Sequence, residues 1–241
     1  MTSDLKPADE AGAETLEIMA LARRYNRWQY DQIARFCGSR ICEIGSGIGN
    51  MAQLLVNEST ERAILTDPDQ AYLAALRERF AGDARVGVEA LELPDLQAAH
   101  RMSRYGFDTV VALNVLEHIE DDLAALKCIA TISGPGGRVI ILVPAIPHLH
   151  NSLDLALGHW RRYSPAKLSE LFQASGITLE HISYFNAVGI LGWWANGNLL
   201  RASRIPLRQL RVFDFLVPLL RMERFFRLPV GQSLIAIGRA E

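Results

Sequence analysis

The sequence predicts a doubly wound α/β domain with a helical insertion, and three observations carry that prediction. Short β-favouring runs alternate with segments of helical period through the first two-thirds of the chain. The first run leads into ICEIGSGIGN, residues 41–50, where Gly45, Gly47 and Gly49 take alternate positions. The second ends at an acid, Asp67, about twenty residues beyond that loop. Strands that alternate with helices in this way form a mostly parallel sheet covered on both faces.

Each element follows in order. Residues 1–12 are polar with Ala and Gly and are expected to lack structure. Over 13–37 a helical cover is expected, because Ile18, Leu21, Ala22 and Tyr25, then Trp28, Ile33 and Phe36, recur at helical spacing before Gly38. Residues 41–44 form a strand, and 50–57 begin the helix after the glycine loop. The run 63–66 is a second strand, and Pro68 opens a helix over 70–80 with Tyr72, Leu73, Leu76 and Phe80 on one face. Residues 86–91 and 107–113 are the third and fourth strands. Asp121 and Asp122 cap a helix that runs to Ile132, and GPGG at 134–137 turns into a fifth strand, RVIILV. Ser164 and Pro165 start a helix as cap and first-turn proline, and Gly176 ends it. The last strands, 177–184 and 233–238, flank an insertion over 185–231 broken by Pro206, Pro218 and Pro229.

Composition narrows the function classes. With 241 residues, about half of them hydrophobic, the chain suits one such domain, residues 13–241. A net charge of −2 argues against a nucleic-acid binder, which rests on a basic surface. The three cysteines are odd in number and lack CxxC spacing, as in a reducing compartment. The amino terminus carries acids where a signal peptide carries bases, and no apolar run reaches the ~20 residues of a membrane span. A cytoplasmic location is expected.

The glycine loop selects its ligand by what it lacks. A dinucleotide loop reads GxGxxG, whereas this one reads GxGxG. A triphosphate loop ends in Gly-Lys-Ser/Thr, yet no Lys or Arg occurs from Ile41 to Glu61. Glu43, just before the glycines, would repel a pyrophosphate and suits a cationic ligand. Asp67 is placed to accept ribose hydroxyls.

ICEIGSGIGN, LTDPD, ALNVLEHIEDD and GPGGRVIILVP, in this order, resemble the motifs of class I S-adenosylmethionine-dependent methyltransferases of the small-molecule type. LGHWRRYSPAKLSELFQASGITLE extends the resemblance, which covers about residues 20–185 and the final strand. It implies a Rossmann-like seven-stranded sheet, mostly parallel with the last strand antiparallel. It also implies S-adenosyl-L-methionine as cofactor, S-adenosyl-L-homocysteine as product and no metal. By the same resemblance Glu43, Gly45, Ser46, Gly47 and Asn50 contact the methionine and ribose portions. Asp67 takes the ribose, Pro68 packs by the adenine, and Asn114 lines the pocket. In VGVEALELPDL either Glu89 or Glu92 meets the adenine amine, and Glu89, followed by Ala90 and Leu93-Pro94, fits the pattern better, although the family more often has Asp.

Methyl transfer is an in-line displacement in which alignment does most of the work, and a base is needed only for a hydroxyl or acidic carbon. His118, after the fourth strand, and His159, in GHWRRYS, are the candidates for catalysis, against plain structural roles. Arg161 and Arg162 offer an anion site or ion pairs to Asp154 and Glu170. Tyr163 beside them, and Tyr25 on the covering helix, are candidate substrate contacts, with a core role for Tyr25 the alternative. From Arg201 to Arg227 the insertion sets seven arginines against two acids, Asp214 and Glu223, with Trp193, Trp194, Phe213, Phe215, Phe225 and Phe226 around them. It reads as a helical cap or dimer contact, or as a membrane-surface or lipid-linked substrate site. The leading expectation is methyl transfer to a small acceptor, a natural-product, sugar or isoprenoid intermediate, by a monomer or homodimer. A nicotinamide reductase would instead show GxGxxG and a Tyr-x-x-x-Lys pair on one helix. Tyr163 and Lys167 have that spacing, but Ser164 as cap leaves Tyr163 outside the helix. A non-catalytic adenosyl-binding partner subunit is the third reading.

Overall fold

The computed structural model describes residues 7–204, 206–226 and 228–241. Seven strands form one sheet: β1 (Arg40–Ile44), β2 (Arg62–Asp67), β3 (Val86–Ala90), β4 (Thr109–Leu113), β5 (Arg138–Pro144), β6 (Ile177–Phe185) and β7 (Ser233–Ala240). Their order is β3-β2-β1-β4-β5-β7-β6, and β7 runs antiparallel to both of its neighbours. The order reverses direction at β1 and β4, so the loops after these two strands meet at the carboxyl edge, where open α/β sheets bind ligands.

Helices cover both faces. Before the sheet come α1 (Pro7–Ala20) and α2 (Arg23–Ile33). Between strands lie α3 (Ala52–Leu55), α4 (Gln70–Arg79), α5 (Leu96–Ser103), α6 (Asp122–Ser133), α7 (Ser152–Ala156) and α8 (Pro165–Ala174). The insertion folds as α9 (Gly189–Trp194), a π-turn over Ala195–Leu199, α10 (Leu207–Leu220) and α11 (Glu223–Phe226). One face buries Cys42, Ile44, Val110 and Ile141 under α5, α6 and α8. The other buries Ile41, Val111, Ile140 and Ile235 against Trp28 and Ile33 of α2 and Val217 of α10. Alternation along each strand supplies the two faces.

The caps act as the sequence predicts: Asp121 accepts from the Ala124 amide and Ser164 from that of Lys167. Several expectations are corrected. Of the tail expected to lack structure, residues 7–12 belong to α1, where Pro7 opens an alanine-rich helix, and residues 1–6 lie outside those described. The single helical period expected after Glu14 is two helices, broken at Leu21–Ala22 so that α2 packs on α10 while α1 reaches α7. The helix expected over 50–57 is one turn, α3. Neither α5 nor α7 is among the expected elements. Both rest on side-chain caps, Asp95 on the Ala98 amide and an Asn151–Asp154 capping box. Pro206 is the cap of α10, whereas Pro218 lies within that helix instead of ending it.

Candidate functional site

The loop after β1 carries three residues with left-handed backbone, Gly45, Gly47 and Gly49. At Gly45 a Cβ would come within 2.6 Å of Val115 on the loop after β4, so only glycine lets the two loops approach. Asp67, at the end of β2, fixes the glycine loop. Its two oxygens accept from the Gly47 amide at 2.9 Å and the Asp69 amide at 3.0 Å. Ser46 is buried and donates its amide to Thr66 O. From above, α1 closes on the loop: Asn50 Nδ2 donates to Leu16 O, and the Leu16 side chain lies over Gly47.

Beneath this loop Glu43 is buried, and one of its carboxylate oxygens has no partner. Burial pushes its pKa up to about 8, against a Ser46 hydrogen bond that lowers it and with nearby Asp67 raising it. The Oδ1 of Asn50 is likewise buried and unpartnered. Pro68 and Glu92 are exposed. The Glu89 carboxylate accepts from the Tyr105 hydroxyl, on the α5 side of the sheet. Asn114 follows β4 with a positive φ of 55°, and its amide donates to Leu142 O.

A second constellation lies on the far side of the loop after β4. Glu117 is fully buried, and neither carboxylate oxygen has a partner. Burial raises its pKa to about 7 despite the opposing fields of His159 and Arg162. The His118 ring meets the His159 ring edge to face, centroids 4.8 Å apart. His118 keeps solvent-accessible surface, although nearby protein partly desolvates its ring. That desolvation, with His159 adding, lowers its pKa to about 4, and the imidazole is neutral at physiological pH.

His159 is held from behind by Asp154, which is fully buried, through Nδ1 at 2.9 Å. The same carboxylate accepts from Arg162 Nε at 2.8 Å, Trp193 Nε1 at 3.1 Å and the Asn151 amide at 3.0 Å. Burial works against its charge, but these bonds win and hold its pKa down at about 2. The Trp160 amide donates to Glu117 O, pinning the His159 loop to the turn that carries Glu117 and His118.

Thus the two histidines expected to take part in catalysis stand together, far apart in the chain though they are. Glu43, Ser46, Gly45, Gly47, Asn50 and Asp67 also converge, at the carboxyl edge. The expected substrate contacts do not. Tyr163 is fully buried and donates its hydroxyl to Asp122, because its backbone pairs beside β5 at Ala145 and turns the ring into the core. Arg162 is buried on Asp154 and Ala145 O, and Arg161 pairs with Asp122. Tyr25 packs among Trp28, Phe185 and Phe213, and burial raises its phenol to about 12. Two members of the site, Glu117 and Asp154, carried no functional role in the sequence reading. The Asp-x4-His-x2-Arg spacing is a trace of Asp154, and Glu117 stands beside His118 in ALNVLEHIEDD.

Comparison with known proteins agrees with this geometry. A family model described as a methyltransferase domain matches residues 18–199. The chain is 29% identical over 167 residues to a Mycolicibacterium smegmatis protein named a "probable S-adenosylmethionine-dependent methyltransferase", covering 67% of this chain and 61% of that one. It is 24% identical over 160 residues to a ubiquinone biosynthesis O-methyltransferase of Xanthomonas euvesicatoria, covering 61% and 65%. The chain therefore spans less than two thirds of the length of these curated relatives. The fold matches that of an S-adenosylmethionine-dependent methyltransferase from Mesorhizobium loti with a TM-score of 0.58, 14% identity, and coverage of 88% and 97%. With the family model spanning most of its length and the glycine loop, sheet order and buried acid in place, the chain belongs to the class I S-adenosylmethionine-dependent methyltransferases.

Proposed function

We propose that this methyltransferase methylates a hydroxyl oxygen of a small amphiphilic molecule, a natural-product, sugar or isoprenoid intermediate, which it meets at an anionic membrane surface from the cytoplasmic side. The outer surface of the insertion carries this reading. Leu191, Trp194, Leu199, Val212, Phe215 and Leu219 are all at least half exposed there. Around them Arg201, Arg208 and Arg211 are exposed as well. Both acids of the segment turn inward: Asp214 accepts from the Tyr25 amide, and Glu223 from the amides of Asn186 and Ala187. An apolar face with exposed arginines beside it matches anionic headgroups, each arginine contributing about 1 kcal/mol near such a surface. Among the described residues no helix is long and apolar enough to cross a membrane, so the contact is peripheral.

Acceptors left open around the glycine loop support the cofactor assignments made there. Bound S-adenosylmethionine supplies an electrophilic methyl group on a sulfonium. The unpartnered Glu43 oxygen suits the ammonium of the methionine tail, Asp67 keeps lone pairs for the ribose hydroxyls, and Asn50 Oδ1 offers one more acceptor. Glu89 would turn from Tyr105 to the adenine amine. The insertion reaches the acceptor side through α9, whose Trp193 bonds the carboxylate that orients His159. Oxygen as acceptor atom is supported by the resemblance to O-methyltransferases and by the electron pairs that His118 and His159 present.

Vesicle flotation tests the surface. The chain should float with vesicles containing phosphatidylglycerol and be released by high salt or by the pair Val212→Asp, Leu219→Asp. Retention by neutral vesicles alone, or a dimer in sedimentation that the same pair dissolves, would overturn the membrane assignment.

A further inference from the structure

We infer that Glu117, His118 and His159 form a binding site for a divalent first-row transition ion, open on its solvent side to the oxygen of the acceptor. One donor atom from each residue lies within 4.8 Å of the other two. A tetrahedral ion at about 2.1 Å from each ligand needs them about 3.4 Å apart, a closure within reach of side-chain rotation. The sequence reading assigned no metal; Glu117 and His118 are adjacent, and the fold brings His159 to them from the loop after β5.

Three further observations mark the cluster as built for a cation. Glu117 is 0% exposed and both oxygens lack a partner, an arrangement that burial penalises for a carboxylate left alone. The buried Arg162 guanidinium donates to Asp154 and to Ala145 O, not to Glu117. His159 bonds Asp154 through Nδ1, which leaves Nε2 as the electron-pair side. A carboxylate behind a histidine is the usual outer support of a metal ligand. The Trp160 amide on Glu117 O holds the two ligand-bearing loops together without an ion. Two imidazoles and one carboxylate select zinc, cobalt, iron(II) or manganese over calcium. His118, the exposed member, marks the side on which further coordination positions stay open.

The site's role deepens the hydroxyl-acceptor reading and rests on it. An acceptor oxygen on the ion is acidified, and its proton leaves to solvent. A lone pair of that oxygen then forms the O–CH3 bond while the S–CH3 pair stays on sulfur, giving the methyl ether and S-adenosylhomocysteine.

The test uses the full chain stripped with EDTA and titrated with ZnCl2 and CoCl2. Calorimetry should give one ion per chain, and cobalt should produce visible d–d bands. Glu117→Gln and His159→Ala should each weaken binding at least ~10–100-fold, the loss typical even of outer supports. A preserved thermal shift with S-adenosylhomocysteine certifies that each variant is folded. Absence of binding to the folded chain, or equal binding by wild type and both variants, would overturn the site. Because the titration reads no turnover, its outcome is separate from that of vesicle flotation or of an acceptor assay.

Discussion

Glu43 shows how one side chain couples the cofactor to pH. With its pKa pushed up to about 8, chiefly by burial, the ligand-free chain carries a proton there at neutral pH. An ammonium in contact with the unpartnered oxygen favours the charged form, so binding expels that proton. The affinity for S-adenosylhomocysteine should therefore rise toward about pH 8, by up to ~10-fold per unit, and level off above it. Calorimetry on Glu43→Gln should find weaker binding and no slope; a persistent slope would assign the proton elsewhere. The same residue affects stability in the opposite direction. A raised folded pKa gives stability that is full below about 4.5 and lost as pH rises through about 8, and the glutamine variant should not show this loss. Glu43 was legible in the sequence because it sits in a strand just before three glycines. Glu117 and Asp154 were not. Their significance lies in what is missing around one and what surrounds the other, and both depend on side chains brought in by the fold.

Asp154 ties three elements together: its own helix α7, the His159–Arg162 loop and, through Trp193, α9 of the insertion. Ser152 strengthens the junction, its hydroxyl lying within hydrogen-bond reach of both Gly197 O and Ala202 O. Asp154→Ala would leave Arg162 buried without its counter-charge, a change worth about 3–5 kcal/mol. Urea unfolding should report a loss of that size, and a loss below ~1 kcal/mol would show that water replaces the carboxylate easily. The strands were legible because each is a buried β-favouring run between turn residues. The short helices were less so, since α7 has only five residues and its start is fixed by a capping box instead of by period. The break between α1 and α2 has no glycine or proline to announce it, and follows from the different surfaces on which the two helices pack.

Across the whole molecule, the parallel ladder from β3 to β5 and the reversed β7 bring the first and fourth loops together at one edge. Strand number and a mostly parallel arrangement followed from the alternation of elements; the antiparallel direction of β7 came only with the family resemblance, and its place between β5 and β6 only with the structure. Pairings that distant in sequence leave no local mark. A ligand seated at this edge should stabilise the chain as a unit. S-adenosylhomocysteine at about a hundred times its dissociation constant adds about 2.7 kcal/mol, or roughly 5–11 °C in Tm for a domain of this size. NADH should add nothing, and calorimetric scans of both mixtures would expose any exchange of roles. The antiparallel β6–β7 pair has one more consequence. Phe185 faces Ser233 in register, and the Gln232 amide bonds Asn186 O, so the insertion departs and returns through a single doorway in the sheet. Its two ends are thus held side by side by the sheet, so a change of length within the insertion should leave the β6–β7 register unaltered.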